Sequence, residues 1–321
     1  MKAIRFAETG GPQVMKLLDV EVGEPGPGQA RVRHSVIGVN FIDTYHRSGL
    51  YPMQLPSGLG MEAAGVVEAV GEGVSHVSVG DRVIYFANPP GAYATHRLMD
   101  ARPLVKLPDS VSDEQAAALW LKACTVESLV ERCARVQPGQ TVLVPAAAGG
   151  VGVLLCQWLK SKDVTVIGTV GSPAKVDIAR AAGADHVLSY EEVPARVREI
   201  TGGKGVDAAI DGVGKSTFDS SLDSLKRRGI LASFGNASGP AAPLDIGLLA
   251  RKGSLFVTRP TLFDYYATPE DFAAGTAAVF AKIASGVLKA HIGQSFALAD
   301  AVAAHKALEA RQTVGSSLLI P

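Results

Sequence analysis

Residues 141–152 read TVLVPAAAGGVG, a β-branched apolar run followed at once by a glycine-rich turn and a second apolar stretch. The run Thr141–Val144 predicts a strand, and the stretch that begins at Gly150 predicts a helix. A strand, a glycine turn and a helix N-terminus in succession suit a dinucleotide pyrophosphate, which Gly149 would let approach the backbone while Gly152 lets the helix pack closely. Ala147 stands where the usual fingerprint has its first glycine. The motif alone could therefore also be a tight strand-to-helix joint.

Strands and helices continue to alternate after this motif. Strand-like runs at 164–167, 186–188, 208–210 and 230–234 are separated by helical stretches. This alternation predicts a parallel, doubly wound sheet with helices on both faces. A helix-capping pattern, Ser112-Asp-Glu-Gln115, precedes a long helical stretch and marks the beginning of this second domain.

The first 110 residues or so follow a different pattern, in a chain whose 321 residues suggest about two domains. Short alternating runs at 30–36, 65–70 and 82–85 are divided by glycine and proline turns. Such runs predict a small, mostly antiparallel β-domain. The tail from about residue 261 contains two helical stretches and a last strand at 316–320. We expect this tail to pack back on the N-terminal domain.

Composition narrows the possible function. Lys plus Arg equals Asp plus Glu at 31 each, so no net positive field favours nucleic acid, which we do not expect as a partner. No apolar run approaches the roughly 18 residues of a membrane span, and no signal peptide opens the chain, which favours a cytoplasmic location. The three cysteines, Cys124, Cys133 and Cys156, are too few and too apolar in setting for a disulfide framework.

The turn after the next strand bears on cofactor choice. An NAD-preferring site places an Asp or Glu there, about 20 residues after the glycine turn. Residues 168–175 read GTVGSPAK and contain no carboxylate. Gly171, the Ser172 hydroxyl and the Lys175 ammonium would suit a 2′-phosphate, which favours NADPH over NADH. The alternative is that Lys175 is a solvated lysine in the first turn of a helix.

Several further motifs accompany the glycine turn and together carry a family resemblance. They are Asn40-Phe-Ile-Asp-Thr-Tyr45, Arg47-Ser-Gly-Leu-Tyr51, Ser233-Phe-Gly-Asn236 and Gly315-Ser-Ser-Leu-Leu-Ile-Pro321. With them the chain resembles, from its first strand to its last, the bacterial quinone oxidoreductases of the zinc-free medium-chain dehydrogenase/reductase family. The resemblance implies an α/β protein in which a GroES-like β-rich catalytic domain (1–118 and 261–321) is interrupted by a doubly wound parallel-sheet Rossmann domain (119–260). It also implies a homodimer that binds NADPH in the cleft between domains.

The candidate cofactor contacts combine the glycine motif with this resemblance. The glycine turn contributes Gly149 and Gly152, and the segment 168–175 contributes Gly171. The resemblance adds Asn40, Thr125, Gly150, Val151, Ser172, Lys175, Tyr190, Phe234, Gly235, Asn236 and Arg311. Asn40 would reach the nicotinamide ribose or carboxamide, Tyr190 the 2′-phosphate end, and Arg311 would add charge from the returning tail. Singly, Asn40 could instead cap a turn, Tyr190 could be a core ring and Arg311 a solvated charge.

The sequence departs from the zinc-dependent relatives at their metal ligands. Those relatives carry a Gly-His-Glu motif, an early cysteine and a loop with four cysteines. Here Gly60-Met61-Glu62 replaces the motif, and no cysteine precedes Cys124. Neither a catalytic nor a structural zinc site can be assembled in the usual way, so we expect no metal.

These observations predict hydride chemistry between NADPH and an electron-poor acceptor. A quinone fits because it needs little acid catalysis, and no residue is singled out as catalytic. Phe41, Tyr45 and Tyr51 are candidates for the substrate pocket, although aromatic residues of a β-domain are often core. The alternatives are reduction of an enone or enal double bond, with Tyr51 or water as proton donor, and a non-catalytic NADPH-binding structural or RNA-interacting protein. The segment Ser254–Thr258 is predicted to pair as an edge strand across the dimer axis.

Overall fold

The computed structural model describes residues 1–321. Its strands are β1 (Lys2–Phe6), β2 (Lys16–Asp19), β3 (Gln29–Val39), β4 (Ser57–Gly58), β5 (Glu62–Val70), β6 (Arg82–Phe86), β7 (His96–Asp100), β8 (Val105–Lys106), β9 (Thr141–Val144), β10 (Thr165–Val170), β11 (His186–Ser189), β12 (Val206–Asp211), β13 (Leu225–Ser233), β14 (Phe256–Thr258), β15 (Ile292–Ala297) and β16 (Ser316–Ile320). Its α-helices are α1 (Phe41–Ser48), α2 (Asp113–Glu127), α3 (Gly150–Lys160), α4 (Val176–Ala181), α5 (Ala195–Ile200), α6 (Phe218–Asp223), α7 (Ile246–Arg251), α8 (Leu262–Tyr265), α9 (Pro269–Ala284) and α10 (Ala301–Glu309). A π-helical turn, Ser128–Cys133, follows α2.

The chain divides into two units, with Met1–Leu121 and Ala290–Pro321 in unit 1 and Lys122–Lys289 in unit 2. The segment 261–289 thus belongs to unit 2, whereas the sequence analysis grouped it with the N-terminal domain. Its contacts explain the difference: the Tyr266 hydroxyl donates to Glu127 Oε2 at 3.1 Å, and the Arg132 guanidinium donates to Asp271 Oδ1 at 3.1 Å. Helical periodicity shows which face of a helix is buried, but not which domain buries it.

Unit 1 is built from two sheets that are antiparallel apart from one pair of strands. The larger sheet has the order β15-β16-β3-β5-β6-β8, with β7 also paired to β3, and the smaller has the order β2-β1-β4. The last strand, β16, pairs antiparallel with β3, so the tail returns to the N-terminal domain as predicted. Residues of both sheets, such as Ile4, Val32, Tyr85 and Leu319, share one buried apolar cluster.

Unit 2 contains a six-stranded parallel sheet of order β11-β10-β9-β12-β13-β14. This is the doubly wound order 3-2-1-4-5-6, in which the strand order reverses beside the first strand, here between β9 and β12. Ligands of such sheets bind outside the carboxyl ends of the strands at this reversal. The predicted Rossmann arrangement is confirmed, and the glycine turn leaves the sheet at the reversal itself.

Local sequence signals account for several element boundaries. The predicted cap at Ser112 is a reciprocal capping box, because Gln115 N–H donates to Ser112 Oγ at 3.2 Å and Ser112 N–H donates to Gln115 Oε1 at 3.1 Å. The strand 141–144, the helix beginning at Gly150 and the strand 316–320 begin where the sequence predicted. None of the helices combines the length and apolar composition that crossing a bilayer requires.

Candidate functional site

The glycine turn between β9 and α3 forms the first part of the site in unit 2. Gly149 is the N-cap of α3, and no side chain caps this helix. The first helical hydrogen bond runs from Val153 N–H to Gly149 O, so the N–H groups of Gly150, Val151 and Gly152 precede it. Such a helix N-terminus presents donors and partial positive charge. The turn has the geometry that phosphate binding needs.

Two close approaches explain which positions of this turn must be small. A Cβ on Gly152 would lie 2.2 Å from Ala146 O and 2.8 Å from Ala147 Cα, so only glycine fits where α3 passes the turn. Ala147, which replaces the first glycine of the fingerprint, is fully buried. A Cβ on Gly168 of the neighbouring β10 would come within 2.7 Å of the Ala147 methyl. The space that the fingerprint obtains from its first glycine is therefore obtained here from Gly168.

The residues proposed for the 2′-phosphate lie together at the same edge of the sheet. Strands β10 and β11 are parallel and their last residues are paired, so the segments that follow them meet. A Cβ on Gly171 would lie 3.5 Å from Cε2 of the Tyr190 ring. Ser172 begins a short helical turn in which Lys175 N–H donates to Ser172 O at 3.1 Å. Ser172, Lys175 and Tyr190 are half-buried around the exposed Gly171.

The chain segments after β12 and β13 are packed backbone against backbone. A Cβ on Gly235 would lie 2.2 Å from Gly212 O, and a Cβ on Gly212 would lie 2.6 Å from Cζ of Phe234. Phe234 N–H also donates to Asp211 O at 2.8 Å. The predicted cofactor residues Phe234, Gly235 and Asn236 therefore form a fixed turn at the sheet edge that also carries the glycine turn.

A buried carboxylate supports this edge from below. Asp211 Oδ1 accepts the N–H groups of Val213 at 2.7 Å and Gly214 at 3.2 Å, and Oδ2 accepts the hydroxyls of Thr217 at 2.7 Å and Ser221 at 2.8 Å. Asp211 has no exposed surface, and four hydrogen bonds compensate its burial. The sequence analysis did not identify this residue, because its four partners follow it at irregular spacings of 2, 3, 6 and 10 residues.

Arg259 is a second residue that the sequence analysis missed. Its Nη1 donates to Ser233 O at 2.6 Å and its Nη2 donates to Asn236 Oδ1 at 3.1 Å, while Asn236 Nδ2 donates to Gly235 O at 2.9 Å. A guanidinium can only donate, so Arg259 fixes which atom of the Asn236 amide faces it. Arg259 and Ser233 are 26 residues apart in the chain, so no local pattern could have connected them.

Thr125, another predicted cofactor contact, lies near the end of α2. Its side chain is half-buried, and its carbonyl accepts the Ser128 hydroxyl at 2.9 Å. The π-helical turn begins at Ser128. After its last residue, Ala134 N–H donates to Leu129 O, five residues back instead of the four of an α-helix. Such turns are frequent at functional positions, and the proposed role of Thr125 stays a prediction.

In unit 1, the predicted contact Asn40 is held from two sides. It is the N-cap of α1, and its N–H donates to Asp43 Oδ2 at 2.9 Å. Its Nδ2 donates to Glu62 Oε1 at 2.8 Å, while Glu62 Oε2 accepts the N–H of Leu121 at 2.7 Å. Glu62 has no exposed surface, and Gly38 provides its space, since a Cβ there would lie 2.2 Å from Glu62 Oε1. Glu62 was noticed in the sequence only as part of a zinc motif that lacks its histidine.

A buried chain of polar groups leads from α10 to this cap. Arg47 Nη1 donates to His305 Nδ1 at 3.0 Å, His305 Nε2 lies 3.0 Å from the Tyr93 hydroxyl, and that hydroxyl donates to Asp43 Oδ2 at 2.9 Å. Because Arg47 only donates, His305 is neutral and carries its proton on Nε2. Burial, with a smaller contribution from the Arg47 charge, lowers the pKa of His305 to about 3. This series of hydrogen bonds ends at the Asp43 carboxylate, which accepts the N–H of Asn40.

The three predicted substrate-pocket residues lie together in unit 1. The ring centroids of Phe41 and Tyr45 are 6.3 Å apart, and Tyr45 meets Tyr51 edge to face at 5.2 Å. Tyr45 is buried, whereas Phe41 and Tyr51 are half-buried. His46 also contacts the Tyr51 ring and lines an open cavity of about 470 Å³ together with residues 52–57 and 88–90. The aromatic cluster therefore has both a buried part and a part that reaches the surface of the unit.

The remaining predicted positions are Arg311 and the degenerate metal motif. Arg311 is exposed, lies just after α10 in unit 1 and has a left-handed backbone conformation with φ of 58°. Met61, which replaces the zinc-ligating histidine, is buried at 1% exposure. No group of three or more His, Cys, Asp or Glu side chains in residues 1–321 could hold a metal ion. The contact of Arg311 with the cofactor stays a prediction.

Comparison with protein families agrees with both units. Residues 26–109 match the alcohol dehydrogenase GroES-like domain, and residues 150–276 match the zinc-binding dehydrogenase family. A GroES-like β-unit combined with a Rossmann sheet defines a medium-chain dehydrogenase or reductase, and the predicted fold class is confirmed.

Three full-length relatives narrow this class. The chain is 50% identical to a quinone oxidoreductase of Pseudomonas aeruginosa, covering 100% of this chain and 99% of the relative. It is 43% identical to a 2-haloacrylate reductase of Burkholderia sp., over 97% of this chain and 96% of the relative. The crystal structure of Escherichia coli quinone oxidoreductase complexed with NADPH matches with a TM-score of 0.97 at 46% identity, covering 100% of both chains. The chain belongs to the quinone oxidoreductase family, as the sequence motifs predicted.

Proposed function

We propose that this chain is an NADPH-dependent quinone oxidoreductase that passes reducing equivalents from NADPH to a quinone without a metal ion. The observation that carries the proposal is the carboxyl edge of the parallel sheet in unit 2. There the glycine turn, the Ser172–Lys175 segment and the Phe234–Asn236 turn follow strands of one sheet, at the place where doubly wound folds bind dinucleotides. The E. coli relative that was solved with NADPH has the same fold throughout.

The residues at this edge fit the chemical groups of NADPH. The N–H groups of 150–152 suit the pyrophosphate, and the tight approach at Gly152 keeps the helix N-terminus close to it. The Ser172 hydroxyl and the Lys175 ammonium suit the 2′-phosphate, because no carboxylate lies in 171–175 to repel it. Phe234–Asn236, Thr125, Asn40 and Arg311 are further contacts that we propose from the family resemblance.

When bound, NADPH supplies a hydride from C4 of its nicotinamide ring. The role of the protein is to bind both reactants and to orient the acceptor against that carbon. We propose Phe41, Tyr45 and Tyr51 as the flat apolar surface for the quinone, since their rings already form one cluster. No general acid is required, because the oxygens of a reduced quinone can take protons from water.

Reduction of an activated carbon–carbon double bond is the second candidate function. It is favoured by one observation, the 43% identity to a 2-haloacrylate reductase over nearly the whole chain. The hydride geometry is the same, but the carbanion-like product needs a proton, which the half-buried Tyr51 hydroxyl or a water could donate. A haloacrylate or enone would then replace the quinone beside the aromatic cluster.

One screen tests both functions. NADPH oxidation is measured with quinones, enones, enals, 2-haloacrylate, aldehydes and alcohols, with product analysis for each acceptor. We expect turnover with quinones and none with alcohols and NADP⁺. Turnover confined to double-bond acceptors would favour the second candidate. Alcohol oxidation would contradict the metal-free proposal, because it requires a group that polarises the alcohol oxygen.

We propose a homodimer that pairs through β14. This strand is the edge of the parallel sheet, and its Phe256 is 59% exposed, with Ile246 of α7 at 79%. Pairing across a two-fold axis would satisfy the free strand edge and cover this apolar surface. Light scattering at micromolar concentration tests the mass, and Phe256→Asp should shift a dimer towards monomer while Val79→Asp, at another exposed apolar position, should not.

We also propose that the protein works in the cytoplasm and does not depend on nucleic acid. Its three cysteines are all free thiols, which suits a reducing compartment. The charge balance of 31 to 31 gives no net field for a phosphate backbone. Salt-dependent RNA binding at micromolar protein would support the structural or RNA-interacting alternative instead.

A further inference from the structure

The amide of Asn40 can be oriented in two ways, and its neighbours leave only one. Its Nδ2 donates to Glu62 Oε1, and the second oxygen of the same carboxylate accepts Leu121 N–H. A carboxylate has only acceptor atoms, so the amide must turn its nitrogen towards Glu62. Its oxygen, Oδ1, is thereby turned away from Glu62 and accepts the backbone N–H of Asp43 in the capping box of α1. An amide oxygen has two lone pairs, so Oδ1 can accept a second hydrogen bond.

Glu62 is itself held so that it cannot turn away. It has no exposed surface. Gly38 provides the space for its carboxylate, since a Cβ at this position would lie 2.2 Å from Glu62 Oε1 and 2.6 Å from Ala117 O. The Leu121 N–H belongs to the backbone of α2, so this donor cannot reverse its polarity. The Leu121 N–H thus holds the Glu62 carboxylate in place, and the carboxylate in turn fixes the orientation of the Asn40 amide.

We propose that Glu62 is a positioning residue. By fixing the Asn40 amide, it presents Asn40 Oδ1 as a hydrogen-bond acceptor to the nicotinamide half of NADPH. The inference rests on the proposed function, in which Asn40 contacts the nicotinamide ribose or carboxamide. Both groups carry donors, the ribose hydroxyls and the carboxamide NH₂, which can donate to an acceptor at Asn40. Glu62 itself touches no reacting atom.

Glu62→Gln is expected to reverse the orientation of the Asn40 amide while changing the side-chain volume very little. The new amide must turn its oxygen to the Leu121 N–H, which cannot reverse, and its NH₂ then faces Asn40. Asn40 has to turn its own oxygen inward and present Nδ2, a donor, to the cofactor. The reversed amide would also oppose the N–H groups at the start of α1.

Asn40→Asp supplies the matching correction. In the native background it would place two carboxylates in contact, which is unfavourable. Together with Glu62→Gln, the aspartate accepts from the new amide with one oxygen and keeps the other as an acceptor on the outward side. Aspartate is also a favoured N-cap, so the start of α1 is preserved. The two substitutions are each harmful alone and compensate each other.

The experiment compares wild type, the two single variants and the double variant. NADPH binding is followed by fluorescence titration, 2′,5′-ADP binding by calorimetry, and folding by thermal unfolding. We expect NADPH affinity to fall roughly tenfold in each single variant, the effect of one misdirected hydrogen bond, and to recover to within about threefold in the double variant. Affinity for 2′,5′-ADP, which lacks the nicotinamide half, should stay unchanged in all four proteins. Glu68→Gln, the same substitution on the same strand, should change neither affinity.

The outcomes separate this inference from the proposed function. If wild type binds neither NADPH nor 2′,5′-ADP, the proposed function is wrong and the inference falls with it. If wild type binds both but Glu62→Gln leaves NADPH unchanged, or weakens both ligands equally, only the role of Glu62 is refuted. A double variant weaker than either single variant refutes it as well. Should Glu62→Gln alone fail to fold, the double variant decides, because it must fold and bind NADPH like wild type.

Discussion

The carboxyl edge of unit 2 and the surroundings of Asn40 in unit 1 are built on different principles. The edge in unit 2 is shaped by close backbone approaches, such as those at Gly152 and Gly235, where a single methyl group would not fit. The surroundings of Asn40 are shaped by buried polar side chains, of which Glu62 and His305 are examples. The first region is therefore sensitive to volume and the second to charge and protonation.

Unit 1 contains a second buried histidine. His34 Nδ1 donates to Ala94 O at 2.7 Å, and its Nε2 accepts the Tyr85 hydroxyl at 2.9 Å. Burial lowers the pKa of His34 to about 3, as it does for His305. Both rings are neutral links in hydrogen-bonded chains of unit 1. No histidine takes part in the turns at the edge of unit 2.

Acidification should therefore weaken unit 1 first, and this is the largest effect that we predict. An unfolded histidine has a pKa near 6.5, so between pH 6.5 and 3 the unfolded chain binds protons that folded His34 and His305 do not. The stability that depends on their neutral forms is complete above pH 6.5 and is lost as the pH falls. At pH 4.5 each histidine should cost about 2–3 kcal/mol in the free energy of unfolding.

Urea unfolding at pH 7 and pH 4.5 measures this loss in wild type and in His34→Gln and His305→Gln. Each variant should be less stable at pH 7 but should lose less stability on acidification than wild type. His186→Gln, at an exposed histidine of β11, serves as the control and should leave the pH dependence unchanged. An unchanged acid loss in both buried variants would show that these rings are already solvated or charged in the folded protein.

The volume-based region is tested by adding one methyl group. Gly152→Ala should cost about 1–3 kcal/mol of stability, because its Cβ meets the rigid backbone of Ala146 at 2.2 Å and must displace α3. The N–H groups of that helix would move with it, so NADPH affinity should fall at least tenfold. Gly149→Ala is the matched control, since its Cβ meets only Ala146 O at 3.2 Å. The two variants are compared by urea unfolding, because Gly149 is itself a predicted cofactor contact. Equal losses of stability would contradict the steric account.

The same difference decides what the sequence could predict. The glycine turn, the parallel sheet and the cap at Ser112 depend on residues close together in the chain, so their patterns were readable. With Ala147 in place of the first glycine, the sequence motif looked weaker than the structure shows it to be, because the compensating Gly168 lies on another strand. The family motifs supplied the remaining candidates of unit 2, such as Tyr190, which the structure places beside Gly171.

The charge-based region could not be read in this way. Arg47 and His305 are 258 residues apart in the chain, and Tyr93 and His305 are 212 apart. Only the return of the tail to unit 1 brings them together, and no spacing records it. The contact-based division after Lys289 differs from the predicted boundary at 261 for a related reason, because a helical pattern such as that of α9 does not show which domain it packs against. Glu62 was visible in the sequence, but its role depends on a contact with α2.

Lys175→Ala tests a smaller and more selective effect in unit 2. NADPH and NADH differ only in the 2′-phosphate, so the variant should bind NADPH roughly 5- to 150-fold more weakly, the effect of about 1–3 kcal/mol from one charge-assisted contact, and NADH almost unchanged. Fluorescence titration of both cofactors measures this. Lys204→Ala, at an exposed lysine before β12 and so at the opposite edge of the sheet, is the control.

Gly171→Asp should add to that shift in selectivity. Its Cβ would lie 3.5 Å from the Tyr190 ring, an ordinary contact, so the substitution changes charge with little steric cost. The carboxylate would repel the 2′-phosphate and could accept hydrogen bonds from the ribose hydroxyls of NADH. Equal weakening of both cofactors by Lys175→Ala would instead make Lys175 a pyrophosphate or structural contact.

Chelation is expected to have the smallest effect, which is none. The relevant position lies in unit 1, where Met61 occupies the place of the zinc-ligating histidine and Glu62 beside it is engaged with Asn40 and Leu121. A thioether in an apolar core offers Zn²⁺ neither of its preferred protein donors, imidazole and thiolate. NADPH-dependent turnover with a quinone should therefore survive exhaustive dialysis against a chelator, and elemental analysis should find no stoichiometric metal. One zinc ion per chain, with turnover lost on its removal and restored on its return, would show that the polar groups around Asn40 serve a metal and not an amide.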